Sequence, residues 1–177
     1  MATVPSDLTL HPNGGEPLSV ADQVTMFHLV LVTLDPYTYE SAWILETAGR
    51  ILEEFVGADC RTGWLVTADE ADTSAFLGPW EQKFLTFCDP TRSAVTAMGI
   101  ETTPALIHIG GDLTVIGKAE GWEPDDWRAI TTNLAKMMSW SKPTFPKPGD
   151  PVPFAGAPAG ETGKGPAAAS TGSAAAE

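Results

Sequence analysis

Residues 99–122 read GIETTPALIHIGGDLTVIGKAEGW, and this stretch decides the fold more than any other part of the chain. Two apolar runs, 105–109 and 113–119, lie on either side of a Gly-Gly-Asp sequence at 110–112, and such glycine pairs are favoured at tight hairpin turns. A helix is predicted at 124–138, because a proline and two acids stand at its start, where the helix dipole is positive. The stretch therefore predicts a β-hairpin followed by a helix that closes a domain.

Upstream of this hairpin, residues 27–34 are almost continuously apolar and β-branched, FHLVLVTL. Such a run is typical of a parallel strand that is covered on both faces. After Asp35-Pro36, apolar residues recur at helical spacing until Gly57, which predicts an amphipathic helix of about four turns. The residues predicted to face the core from this helix are Trp43, Ile44, Thr47, Ile51, Leu52 and Phe55.

Two further strands are predicted between this helix and the hairpin, at 62–68 and 83–87. The first is followed by a short helix or loop at 70–80. The second leads into a helix at 91–98, which an Asp-Pro pair opens and a glycine closes. Strands that alternate with helices predict an α/β domain with a parallel sheet, here spanning residues 25–140.

The two ends of the chain differ from this domain in composition. Residues 1–24 carry few apolar side chains, and we expect a flexible N-terminal arm. Residues 141–177 are rich in Pro, Gly and Ala. Within them, 141–156 interleave two phenylalanines with prolines, which predicts an ordered strap over a surface, whereas 160–177 are predicted to be disordered.

The charge of the chain limits its partners. A net charge of −13 and a pI near 4.4 disfavour binding to nucleic acid and to anionic membranes, because both would repel the protein. The N-terminus resembles no signal peptide, and no stretch reaches the ~20 apolar residues that span a bilayer. We therefore expect a cytoplasmic protein with no membrane insertion.

The order of the predicted elements over 27–138 resembles the thioredoxin-like proteins, and most closely their redoxin and peroxiredoxin branch. The motifs that carry this resemblance are FLTFCDPTRSAVTAMGI, with its DP turn, and the TTP sequence before the hairpin. The resemblance implies a three-layer α/β/α sandwich with a mixed central sheet. It also implies a cis peptide bond at Thr103-Pro104, beside which the backbone of the preceding residue pairs with a bound peptide. A more distant similarity is to the thioredoxin-like helpers of hydrogenase maturation.

The sequence departs from this family at the start of the first long helix. Thioredoxins carry a C-x-x-C motif there and peroxiredoxins a single cysteine, whereas residues 34–43 of this chain read LDPYTYESAW. Its two cysteines, Cys60 and Cys88, match neither a C-x-x-C pair nor a zinc-ligand pattern. We expect both thiols to be unpaired core residues, and we predict no catalytic residue, cofactor or metal.

Two other groups of residues have both a chemical and a structural interpretation. The helix start gathers Tyr37, Thr38, Tyr39, Glu40 and Ser41, where a tyrosine and a glutamate are able to transfer protons. The alternative is that Thr38 or Asp35 caps the helix and the tyrosines cover apolar surface.

The second group consists of histidines on strands that are predicted to be neighbours, His28 and His108. Such a pair can titrate or bind a metal, and the alternative is that each packs singly with a hydrogen bond. The third histidine, His11, lies apart in the arm.

Three functional hypotheses remain. The first is a redox-inactive thioredoxin-fold protein that binds another protein, as a chaperone-like or assembly factor, through the face around Pro104. The second is an accessory subunit tethered by the strap, and the third is an atypical thiol oxidoreductase that uses Cys60 or Cys88. The predicted binding residues are Asp35, Pro36, Tyr37, Thr38, Tyr39, Thr103, Pro104 and Trp122.

Overall fold

A five-stranded mixed sheet forms the centre of the computed structural model, in which residues 1–159 are described. In chain order the elements are β1 (Thr9–Leu10), β2 (Leu18–Ser19), α1 (Val20–Val24), β3 (His28–Leu34), α2 (Tyr39–Glu53), β4 (Cys60–Val66), α3 (Glu70–Leu77), β5 (Leu85–Cys88), α4 (Ser93–Ala97), β6 (Thr102–Thr103), β7 (Ala105–Ile109), β8 (Val115–Glu120), α5 (Pro124–Met138) and β9 (Ala157–Pro158). The strand order is β5-β4-β3-β7-β8. The first three of these strands are parallel to one another, whereas β7 and β8 are antiparallel to their neighbours.

Both faces of the sheet are covered. Helices α2 and α5 pack on one face through apolar stripes that include Ile44, Leu52 and Leu134, and four buried tryptophans belong to the same core cluster. The other face packs against α4 and the N-terminal residues. This three-layer arrangement confirms the predicted α/β/α sandwich with a mixed central sheet.

The N-terminal arm was predicted to be flexible, and for the residues that pack this prediction is wrong. Val4, Leu10 and Val20 are buried against the sheet. Helix α4 has only five residues, so it leaves part of this face for the arm to cover. The arm also covers the edge of β5, where Cys88 donates its amide to the carbonyl of His11 at 2.8 Å. An unpaired strand edge is a site of aggregation, so the arm has a structural role that its polar composition hides.

The proline-rich segment after α5 folds back over the domain. Phe145 is 4 % exposed and joins the layer of α2 and α5. The carboxylate of Asp150 accepts a hydrogen bond from Thr47 at 2.8 Å and pairs with Arg50. Strand β9 then pairs with β6. Residues 141–156 therefore lie in contact with their own domain, while the disorder predicted for 160–177 falls outside the described residues.

The predicted elements correspond to the observed ones with small shifts at their ends. Helix α4 begins at Ser93 rather than at residue 91 because Arg92 has a left-handed backbone, with φ of 62°. Asp89 still caps this helix, since its carboxylate accepts the amides of Ala94 and Val95 at 3.1 and 2.9 Å. In the described part of the chain, no helix is long and apolar enough to cross a membrane.

Candidate functional site

The candidate site lies where β3 ends and α2 begins. Asp35-Pro36-Tyr37-Thr38 is a tight turn, with the Thr38 amide donating to the Asp35 carbonyl at 3.1 Å. Thr38 is the N-cap residue, but its hydroxyl donates to the carbonyl of Asp35 instead of accepting a helix amide. The Asp35 amide in turn donates to the hydroxyl of buried Ser41 at 2.9 Å. Side-chain capping by Thr38 is therefore not found, and the hydroxyls fix the turn itself.

A buried ion pair stands behind this turn. The Asp35 carboxylate lies 3.1 Å from Nη2 of Arg92, and both side chains are about 95 % buried. The other carboxylate oxygen accepts the amide of Tyr37 at 3.0 Å, so Asp35 organises the loop rather than capping the helix. Arg92 donates from Nη1 to the carbonyl of Ala159 at 2.6 Å. One guanidinium thus connects the end of β3 to the C-terminal segment.

Beside this pair lies a strand edge, which we call the Pro104 edge and define as residues 101–104 with Gly121 and Trp122. The Thr103-Pro104 peptide bond is cis. Strand β6 pairs in antiparallel register with β9, with Thr103 opposite Ala157 and Thr102 opposite Pro158. The buried hydroxyl of Thr103 has no hydrogen-bond partner within residues 1–159. An extended segment of the chain itself therefore occupies this edge.

Two glycines make the close approach at this edge possible. A Cβ on Gly156 would lie 2.6 Å from the carbonyl oxygen of Thr103, and a Cβ on Gly121 would lie 2.5 Å from the carbonyl oxygen of Ala155. Both glycines also have positive φ, 86° and 73°. A side chain at either position would force the two strands apart.

Trp122 was predicted to contribute its side chain to a binding surface, and the structure corrects this. Its side chain is fully buried, against Trp127 and Phe145, and its indole donates to the carbonyl of Pro151 at 2.9 Å. Only its backbone faces the edge, where it exchanges two hydrogen bonds with Phe154, of 2.8 and 2.9 Å. Residues of the strap cover this tryptophan. The sequence around Trp122 gives no sign of that cover, because the strap lies more than 20 positions further along the chain.

Proton-transfer chemistry at the turn is not supported by the geometry. The Tyr37 phenol donates to the carboxylate of Asp72. Burial, together with this bond and the surrounding carboxylates, raises the pKa of Tyr37 well above its usual value, so the phenol stays protonated. Tyr39 is 68 % exposed. Pro36 and Tyr37 instead line a shallow depression with Asp72.

The two thiols lie far apart in the sheet. Cys88 lies opposite Val66 at the end of β4, whereas Cys60 is the first residue of that strand. Six residues of strand separate them by about 20 Å, so they cannot form a disulfide, which needs Cα atoms within about 7 Å. Burial and the charge of Asp59 raise the pKa of Cys60 to about 11, and burial also raises the pKa of Cys88. Both cysteines are free, as predicted.

The two strand histidines do meet. His28 Nδ1 lies 2.8 Å from His108 Nε2, so one ring donates to the other. His108 is fully buried, and burial together with the charge of His28 lowers its pKa to about 4. Its other nitrogen has no partner within the described part of the chain. His28 and His108 thus form a hydrogen-bonded pair, and no group of three potential metal ligands converges among residues 1–159.

Sequence reasoning missed two residues of the site. Arg92 was placed inside a helix, and only its position just after an Asp-Pro turn hints at a different role. Trp43 was assigned to the core by its spacing, yet it is 56 % exposed and packs edge-on against Phe154 with ring centroids 5.6 Å apart. Both contacts involve residues of the C-terminal segment, more than 60 positions away in the sequence.

Comparison with solved structures shows a thioredoxin-like fold. A thiol-disulfide oxidoreductase from Bacteroides fragilis matches with a TM-score of 0.62 and 15% identity, over 77% of this chain and 99% of that chain. A secreted disulfide oxidoreductase of Mycobacterium tuberculosis matches with a TM-score of 0.57 and 15% identity, over 73% of this chain and 96% of that chain. The exposed lipoprotein thioredoxin Etrx1 of Streptococcus pneumoniae matches with a TM-score of 0.58 and 18% identity, over 73% of this chain and 98% of that chain. No protein-family model and no curated protein matches the sequence.

Proposed function

We propose that this protein is a peptide-binding module on a thioredoxin-like fold, which recognises an extended segment of a partner protein along the Pro104 edge. The observation that carries this proposal is the antiparallel pairing of residues 157–158 with β6. It places an extended polypeptide on the edge, in a register that a strand from a partner can also adopt. Main-chain hydrogen bonds would supply affinity, as in other cases of strand addition.

The predicted binding residues take different parts in this proposal. Thr103 and Pro104 belong to the edge, and Asp35 holds Arg92, which donates to the incoming backbone. Pro36, Tyr37, Thr38 and Tyr39 would form the rim on the side of α2. The proposed partner is a protein and the proposed mechanism uses no cofactor. The expected cytoplasmic location stays a prediction, as does the alternative role of a tethered accessory subunit.

A thiol oxidoreductase is the alternative that the names of the similar structures favour. The positions and pKa values of the cysteines weigh against it. Attack on a disulfide needs a thiolate, and the raised pKa of each thiol keeps it protonated near neutral pH. The start of α2, where a helix dipole would stabilise a thiolate, carries Tyr37, Thr38 and Tyr39 instead. We therefore propose recognition without redox chemistry.

Panning of a random peptide library displayed on phage tests the binding function. The bait is the chain with Gly156→Ala, which keeps every residue of the edge but forces residues 157–158 away from Thr103. The matched bait adds Gly121→Ala, which brings a methyl group into the path of the bound backbone. A further bait carries Gly156→Ala with Gly99→Ala. Gly99 has a similar φ of 71°, but a Cβ there would meet its nearest atom at 4.0 Å, so this substitution controls for backbone strain.

We expect peptides that the Gly156→Ala bait and the Gly99 control retain and that the Gly121 bait does not. Equal retention by all three baits, or no enrichment by any of them, would overturn the binding proposal. Redox inactivity is checked by insulin reduction with dithiothreitol, comparing the wild type with the Cys60→Ser, Cys88→Ser double variant. A wild-type rate that the double variant loses would revive the oxidoreductase hypothesis.

A further inference from the structure

Residues 154–159, which we call the docked segment, are held on the Pro104 edge at both of their ends. At one end Phe154 exchanges two backbone hydrogen bonds with Trp122. At the other end the amide of Ala159 donates to the carbonyl of Glu101 at 2.7 Å, and its own carbonyl accepts from Arg92 at 2.6 Å. The backbone of this segment thus makes the contacts that a bound peptide would make.

The side chains of the docked segment are small after its first residue, FAGAPA. Phe154 packs against the exposed ring of Trp43. At position 156 a Cβ would come within 2.6 Å of the Thr103 carbonyl oxygen, so only glycine fits there in this register. The docked segment therefore shows one pattern: an aromatic residue first, glycine third, small residues between and after, and a carbonyl that meets Arg92.

The docked segment is held differently from the strap that precedes it. Residues 141–151 are fixed by the buried ring of Phe145 and by the Asp150 carboxylate, which bonds to Thr47 and Arg50 on α2. The docked segment has no comparable anchor, because only Ala159 among its side chains is buried. The buried hydroxyl of Thr103, opposite Ala157, also has no hydrogen-bond partner among the described residues. The docked segment can therefore leave while residues 141–151 stay in place.

We infer that the docked segment is an intramolecular ligand of the Pro104 edge, and that a partner protein binds by displacing it with an extended segment of the same aromatic-then-small pattern. This inference rests on the proposed peptide-binding function and adds the resident competitor and the chemistry of the ligand. Strand-for-strand exchange needs no change in the domain, because the new backbone takes over the bonds to Trp122, Glu101 and Arg92.

The tether sets how strong this competition is. A short tether holds its ligand at an effective concentration on the order of millimolar. The wild-type chain then binds a free copy of the segment with an apparent dissociation constant of about that concentration, however tightly the open edge binds it. Any variant that removes the resident ligand binds the free peptide more tightly.

The test is an NMR titration of the ¹⁵N-labelled chain with the synthetic peptide VPFAGAPA, which copies residues 152–159. Gly156→Ala opens the edge by steric contact with Thr103. The matched control is Gly149→Ala, in the same part of the chain and with a similar φ of 96°, because a Cβ there meets no atom within 4 Å. Chains ending at Pro153 and at Ala159 form a second pair, in which the first lacks the segment and the second keeps it.

We expect the Gly156→Ala variant and the chain ending at Pro153 to bind the peptide at least tenfold more tightly than the wild type, with shifts at the amides of Glu101 and Trp122. The Gly149→Ala variant and the chain ending at Ala159 should bind like the wild type. Equal affinity in all the chains, or no saturable binding to either opened chain, would overturn the inference.

The outcome also separates this inference from the proposed function. If the opened chain binds VPFAGAPA but the library yields no other peptide, the segment is a resident ligand without a competitor, and only the proposed function fails. If library peptides bind the wild type and the Gly156→Ala variant equally well, and Gly121→Ala abolishes this binding, the proposed function stands and the inference fails.

Discussion

The two ends of strand β3 each carry a pair of polar side chains, and the two pairs differ in burial and in how many of their hydrogen-bonding groups have partners. At the beginning of the strand, His28 and His108 share one hydrogen bond, and the second nitrogen of His108 has no partner among residues 1–159. At the end of the strand, Asp35 and Arg92 are charged, and their hydrogen bonds reach the Tyr37 amide and the Ala159 carbonyl.

Under the proposed function, this difference separates the end of the strand that would take part in binding from the end that would not. The Asp35–Arg92 pair connects three separate parts of the chain, including the segment on the Pro104 edge, so any change of occupant changes its environment. The histidine pair makes no hydrogen bond to that segment. The lowered pKa of His108 instead makes the stability of the fold depend on pH. The first pair is therefore expected to affect both folding and binding, and the second to affect folding alone.

Removing the guanidinium should have the largest effect. Arg92→Met leaves the Asp35 carboxylate buried without its partner, and breaking one side of a buried ion pair costs roughly 3–5 kcal/mol. Methionine also keeps an L side chain at the same positive φ, so backbone strain is unchanged. Urea unfolding of the variant and the wild type measures the loss.

The double variant Asp35→Leu, Arg92→Met is the control for this prediction. It removes both charges, so it should lose less stability than the single Arg92→Met variant. A double variant that loses the sum of the two single losses would mean that the two side chains act independently, and the comparison between the ends of β3 would fail.

The histidine pair predicts a loss of stability in acid. The unfolded His108 binds a proton below about pH 6.5, whereas the folded one does so only below about pH 4. Between these values the unfolded state binds more protons, so the free energy of unfolding falls as the pH falls. The contribution is intact above about pH 6.5 and should be lost by pH 4, a difference of roughly 2–3 kcal/mol.

Urea unfolding at several pH values tests this, with His108→Leu as the variant. The wild type should lose more stability than the variant between pH 7 and pH 4, by roughly the 2–3 kcal/mol that one buried histidine contributes. His11→Gln is the matched control, because it removes a histidine that is exposed and lies outside the pair. Parallel pH profiles for the wild type and His108→Leu would show that His108 does not titrate as described.

The comparison also shows what sequence can predict. The strands and helices of the central domain follow from apolar periodicity and from the glycines and prolines between them, since these signals are local. The packing of the N-terminal arm was not predicted, because its buried residues are only a few apolar side chains scattered among polar ones. Their burial depends on the short α4, which leaves a gap that the arm fills.

The site was predicted in part for a similar reason. The turn at Asp35 and the Thr103-Pro104 loop are visible in the sequence because each is a local motif. The partners that complete them, Arg92 and the docked segment, come from distant parts of the chain and carry no local signal. Trp43 was misassigned because helical spacing gives the face of a residue but not whether a neighbour covers that face.

A smaller effect is expected from Ser41, which supports the Asp35 end of the strand. Its hydroxyl accepts the amide of Asp35 at 2.9 Å, and both groups are buried. Ser41→Ala leaves this amide without a partner, which should lower the free energy of unfolding by roughly 1–3 kcal/mol. Urea unfolding measures the change, with Ala42→Ser as a control at the exposed neighbouring position. Equal stability of Ser41→Ala and the wild type would mean that water replaces the hydroxyl.

The smallest effect is expected from Tyr37, at the rim of the same turn. Tyr37→Phe removes the hydrogen bond from the phenol to Asp72, while the ring and the backbone bond to Asp35 remain. The phenol is only partly buried, so Asp72 can bond to water instead, and the loss should be about 1 kcal/mol or less. Binding of VPFAGAPA to the opened chain should not change, because the phenol makes no contact with the docked segment. A loss of peptide affinity in Tyr37→Phe, at unchanged stability, would extend the binding surface from the Pro104 edge to this rim and weaken the division between folding and binding residues at this end of β3.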